Sequence, residues 1–216
     1  MAKTQNTLIG RSSGSVGGAT FSTWKGINVL KSKPLTVANP KTTDQVATRN
    51  MFTALVRLYR EIANIVKIGF NSQAVKKSEF NAFLSTAMKA GLPIQIGTSF
   101  LDWADLMDAT IAKGSMAPTA ASQIVVTAAT SEVTIDWPSD IGVGQSAGDL
   151  FNLVIIDSLG VLRFSGANLR LRSQSSWGDE ISGNLVVGDN LHIYYFFRNP
   201  ETGDVNDSVY QRVAAV

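Results

Sequence analysis

The chain has 216 residues, 44% of them hydrophobic, one histidine and no cysteine. It is long enough to bury a core, while the missing thiols exclude disulfides, thiolate metal sites and cysteine nucleophiles, and a single histidine excludes a multi-histidine metal centre within one chain. The net charge of +2 hides a dipole: residues 1–116 carry 14 Lys+Arg against 6 Asp+Glu, hence +8, and residues 117–216 carry 5 against 11, hence −6. Such a split suits two partners, nucleic acid on the basic half or the acidic half of another copy, beside the plainer alternative that both faces are simply solvated. No run of 18 or more apolar residues is present and the N-terminus lacks the apolar core of a signal peptide, so neither a membrane span nor Sec export is expected.

Residues 8–18 are too rich in glycine and serine for a helix and read as an arm or a turn-rich strand. Two short β-prone runs, 19–24 and 27–31, flank Lys25-Gly26, which predicts a tight hairpin. A hairpin alone is marginal in water, so its side chains need a partner surface. The linker 31–41, with Pro34 and Pro40, would let the hairpin reach away. Residues 1–41 hold Lys3, Arg11, Lys25, Lys31, Lys33 and Lys41 and no acidic residue. Basic side chains beside Trp24 and flexible glycines can track a phosphate backbone, the competing reading being a core tryptophan with solubilising lysines.

Thr42 and Gln45 have capping-box spacing, and a long amphipathic helix is predicted from there to Gly69. Phe52, Leu55, Tyr59, Ile62 and Val66 form its apolar stripe, widened by Met51, Leu58 and Ile65; Arg49, Thr53, Arg57, Arg60, Asn64 and Lys67 occupy the opposite face. A stripe this wide needs cover on about two sides, from its own chain or from a neighbouring copy. A second helix, over 78–89, should pack on the first through Phe80, Phe83, Leu84, Ala87 and Met88, and end at Gly91-Leu92-Pro93. Residues 100–116 are ambiguous between helix and strand and are read as strand. Pro118 to Ser122 is small and polar and is taken as a domain boundary.

From Gln123 the texture is of short strands between turn signals: 124–127, 132–137, 151–156, 161–164, 169–172, 191–197 and 205–213. The expected class is α+β: an N-terminal arm and hairpin (1–41), a helical assembly region with two helices (42–117), and an immunoglobulin or fibronectin III-like sandwich (118–216). Val133-Thr134-Ile135-Asp136-Trp137 resembles the tryptophan-bearing second strand of such domains, and Tyr194-Tyr195-Phe196-Phe197 their aromatic penultimate strand.

Little in the sequence points to catalysis. His192 lies in an apolar strand, which favours a sheet histidine with one satisfied nitrogen over a general base. Asp179 and Glu180 are adjacent, so on a strand they would face opposite ways; with Trp177 and Gly178 they read as turn residues. Asp136, Asp140, Asp149 and Asp157 lack calcium-loop spacing. Gly14 to Gly18 precedes a strand pattern and not the helix that a phosphate loop requires. No metal, no cofactor and no enzymatic activity are expected.

Residues 8–70 resemble a widespread, uncharacterised family of short proteins from Bacteroidetes bacteria and their mobile elements. The matching positions are Gly10, Gly14, Gly17, Trp24, Gly26, Pro40, Thr42, Gln45, Arg49 and Phe52, and the close Asp207-Ser208-Val209-Tyr210, placed on the last strand, is also similar. Related Asn-Pro-x-Thr-x-x-Gln openings occur in proteins resembling phage structural components, which by analogy implies a virion protein, capsid before tail, assembled in the host cytoplasm. On that reading Trp24, Gly26, Phe52, Leu55, Tyr59 and Ile62 make the self-contacts, with other virion proteins as further partners. Lys3, Arg11, Lys25, Lys31, Lys33, Arg49, Arg57 and Arg60 then face genome or an acidic partner. A cytoplasmic bacterial nucleic-acid-binding protein and a surface or carbohydrate adhesion module are the alternatives.

Overall fold

The computed structural model describes residues 2–4, 13–34, 36, 41–90, 109–139 and 141–216, in two compact units, Met1–Thr42 and Thr43–Val216. The first unit is a single antiparallel sheet of strands β1 (Ala2–Thr4), β2 (Gly14–Val16), β3 (Ala19–Trp24) and β4 (Ile27–Ser32), in the order β1-β4-β3-β2. The predicted hairpin forms, with Lys25 at φ 47° and Gly26 at φ 79°. Positive φ at both central residues is what a two-residue turn needs to follow the twist of its strands. Ala2 to Thr4 pairs with β4, and Gly14 to Val16, from the glycine-rich stretch, pairs with β3.

The second unit has three layers. Helix α1 (Thr43–Gly69) and helix α2 (Glu79–Lys89) form the first. A four-stranded sheet in the order β11-β10-β7-β8 forms the second, from β7 (Leu150–Asp157), β8 (Leu162–Gly166), β10 (Asn190–Arg198) and β11 (Val209–Ala214). The third is a sheet in the order β5-β6-β9, from β5 (Gln123–Thr127), β6 (Glu132–Asp136) and β9 (Ser176–Glu180). All pairings within the two sheets are antiparallel.

Strand alternation divides the middle sheet between two cores. Val154, Ile156, Tyr194 and Phe196 join the helices in one. Phe151, Leu153, Ile155, Ile193, Tyr195 and Phe197 face β5, β6 and β9 in the other, against Trp137 and Trp177. The helices therefore share a core with the sheet, and the chain divides into its two compact units at 42/43.

The predicted helices are present, and Tyr59 packs on Phe80 and Phe83 with ring centroids 4.7 and 6.3 Å apart. Ser78 caps α2 by accepting the Asn81 N–H. Helix α1 departs from helical geometry at Ile62 (φ −115°, ψ 22°). Gly69 ends α1 for a reason of packing rather than of handedness: a Cβ there would lie 2.5 Å from the Ile111 carbonyl oxygen and 2.7 Å from the Ala112 Cβ. The continuation through Gly91-Leu92-Pro93 lies outside the described residues, as does most of the 100–116 segment; 109–116 holds no strand, only the bridge Met116–Asn206.

Three strand expectations differ. Residues 176–180 form β9, an edge strand, where a turn was expected. Residues 169–172 are not a strand but a bridge at Leu171 leading into a 3-10 turn, Arg172–Gln174. The last strand starts at Val209, so Asp207 and Ser208 precede it. There Ser208 Oγ accepts the Ile111 N–H at 3.0 Å and Asp207 Oδ1 the Gly114 N–H at 3.0 Å, fastening the 109–117 segment beside the sheet.

Candidate functional site

Helix α1 presents the cationic face expected of it, with Arg49, Thr53, Arg57, Arg60, Asn64 and Lys67 all exposed. The apolar stripe on its other side is turned by about one position. Met51, Ala54, Leu55, Leu58, Ile62, Ile65, Val66 and Gly69 are buried, while Phe52 is 46% exposed.

This corrects the assembly contacts expected on the helix. Leu55 and Ile62 are 0% and 1% exposed, and Tyr59 packs on α2, so all three hold the unit together rather than meet another copy. The cover comes from α2 on one side and the outer face of β7 and β10 on the other. Of the four helix residues, Phe52 is exposed and Tyr59 half-buried. Gly26 sits exposed in the hairpin turn and Trp24 closes β3 opposite Ile27.

The basic residues fall in both units. Lys3 lies in β1, Lys25, Lys31 and Lys33 are exposed on or beside the hairpin, and Arg11 is outside the described residues. On the second unit Arg57 and Arg60 come together, lining with Glu61 a groove of about 400 Å³ against the β7–β8 turn at Gly160, Val161 and Leu162. Neither arginine forms a salt bridge among the described residues.

An acidic face on the far side of the same unit escaped the sequence reading. Val133, Ile135 and Trp177 point into the core, so alternation turns Glu132, Thr134, Asp136, Ser176, Gly178 and Glu180 outward. Glu132 and Glu180 are direct cross-strand partners. Strands β5, β6 and β9 carry no lysine or arginine.

The polar chemistry inside the unit is structural. Arg172 and Asp149 have fully buried side chains, paired at 3.1 Å between Nε and Oδ2. The guanidinium lies 4.0 Å from the Phe197 ring centroid and donates through Nη1 to Thr119 Oγ1. Burial pulls the Arg172 pKa below its ordinary value, against the opposing pull of Asp149. Trp137 Nε1 donates to the Arg172 carbonyl at 2.9 Å, so one buried residue ties β6, β10 and the 146–149 turn together.

His192 is buried with Nδ1 2.9 Å from the Tyr210 hydroxyl, its ring nearly parallel to that of Tyr210. Burial lowers its pKa, and the Arg212 charge lowers it further against Asp157. Asp149 and Asp157 are taken up by arginines, Asp136 belongs to the acidic face, and Asp140 is outside the described residues. Among the described residues no three His, Asp or Glu side chains converge as metal ligands would, and no helix is long and apolar enough to cross a membrane.

Fold and surfaces thus define an α+β chain with an antiparallel, mostly β C-terminal region and two oppositely charged faces. Residues 11–211 match the family described as Family of unknown function (DUF6266), and the chain belongs to that family. No curated protein and no solved structure matches it.

Proposed function

We propose that this chain is a non-catalytic structural protein of a bacteriophage virion, assembling in many copies, in the capsid before the tail. The observation that carries the reading is the first unit. It is one four-stranded sheet within Met1–Thr42, without a second layer of its own among the described residues. A sheet stabilises itself by covering at least one face with another layer, and a unit of this size seldom folds unaided. Val29 is already buried within the chain and Phe21, Ile27 and Leu30 half-buried, but Val16 in β2 is 72% exposed, so this sheet has apolar surface left to cover. A lattice of like subunits supplies such cover many times over.

The sandwich is proposed to be of the fibronectin III kind. The orders β5-β6-β9 and β11-β10-β7-β8 correspond to A-B-E and G-F-C-C′, with Trp137 at the end of the second strand. Assembly would take place in the host cytoplasm. The test is the particle mass of the full chain and of residues 43–216 by light scattering, followed by negative-stain microscopy. Many-copy particles from the full chain and none from the truncation support the reading; equal assembly by the truncation sinks it.

A second reading, nucleic-acid binding, is favoured by the exposed Lys31, Lys33, Arg49, Arg57 and Arg60. Binding through the three α1 arginines alone should fall with a log–log salt slope of about −3 on duplex DNA. Absence of retention on immobilised DNA at low salt eliminates it.

A further inference from the structure

The second unit has a cationic helical layer on one side of the four-stranded sheet and an anionic sheet face on the other. Residues 43–90 hold seven lysines or arginines against three acidic residues, and Arg57, Arg60 and Lys67 are exposed along α1. Across the layers, β5, β6 and β9 turn outward three carboxylates and no cation. With sheets about 10 Å apart and a helical layer beyond, the two charge sets are separated by roughly 20–30 Å, well over a Debye length at physiological salt. They do not neutralise each other within one molecule.

The anionic face also brings two like charges together. Glu132 and Glu180 sit directly opposite on neighbouring strands, a like-charge arrangement that destabilises the pair unless a cation is brought to it. Beside them Gly178, facing Thr134, leaves the surface low enough for close approach by a convex partner. A helix ridge is such a shape, and helix on sheet is the packing this unit already uses on its other side.

We propose that the outer face of β5-β6-β9 is the docking surface for the cationic face of α1 from a second copy of this chain. Arg57 and Arg60 of one molecule meet Glu132 and Glu180 of the next. Because the two surfaces differ and lie on opposite sides of the unit, the contact is heterologous. Repeated, it generates an open stack or, if its rotation closes, a ring. The inference rests on the assembly reading above and adds a second contact to it; the cover of the first unit remains the one without which residues 43–216 do not assemble.

The test uses two full-length variants, Glu132→Lys/Glu180→Lys and Arg57→Glu/Arg60→Glu, followed by sedimentation at low salt. Each alone should associate about tenfold or more weakly than the wild type, and mixing the two should restore association, because each then finds an opposite charge on the other. Wild-type assembly shared by both variants, or a mixture no better than its components, overturns this contact and leaves the assembly reading standing. A wild type that remains monomeric overturns both. Normal assembly by Arg57→Glu/Arg60→Glu with loss of DNA retention overturns the proposal in favour of nucleic acid on that face. If a reversal unfolds, the Gln versions of both pairs carry the comparison, and undiminished association in them overturns the contact.

Discussion

Arg172→Ala is the substitution whose effect follows most directly from the packing. The guanidinium is fully buried, pairs with an equally buried Asp149 at 3.1 Å, and lies 4.0 Å from the Phe197 centroid. Removing it leaves a carboxylate without its cation in a water-excluded site, where breaking such a pair costs about 3–5 kcal/mol. At about 2–4 °C per kcal/mol for a unit of this size, the melting temperature should fall by about 6–20 °C. Replacing both partners with apolar residues of similar bulk, Arg172→Met with Asp149→Leu, should recover most of the loss, since no charge is then stranded. Thermal unfolding followed by circular dichroism reads both. A shift below about 2 °C for Arg172→Ala would refute the reasoning, because it is smaller than even 1 kcal/mol should produce.

The chain's one histidine allows a clean pH test. Burial depresses the His192 pKa in the folded state, so the unfolded chain binds the extra proton, and stability present above about pH 6.5 is lost as pH falls below it. Urea unfolding should show the wild type losing its advantage over His192→Gln between pH 7.5 and 5.5; a constant gap contradicts the assignment. Gly114→Ala would drive a methyl group into the Val205 carbonyl, and backbone on both sides leaves little to yield, so it should cost about 1–3 kcal/mol by denaturant midpoint. By contrast, Arg57→Glu/Arg60→Glu lies on the open face of α1 and should change monomer stability by no more than about 0.5 kcal/mol per site.

The parts of the fold legible in the sequence were those set by local chemistry. Lys25-Gly26 made its turn because two adjacent positions with positive φ suffice for one, and the arginines of α1 are exposed because burying them would strand their charge. The stripe was misplaced because counting large apolar residues favours Phe52 over Ala54. Where α2 and the sheet come close, the small side chain is the one enclosed, and residues 43–50 of the helix bury none. Strand β9 was missed because Gly178, Asp179 and Glu180 are poor strand formers; only Trp177, anchored in the core, holds that edge. The Arg172–Asp149 pair joins residues 23 apart, and the acidic face exists only after β9 is laid beside β6; neither leaves a signature in a local window.

The most direct test of the central claim is the mass of what the purified full-length chain forms at low ionic strength, by light scattering across a salt titration. The account predicts particles of many subunits that come apart as salt rises. A single 23.1 kDa species at every salt concentration would contradict it.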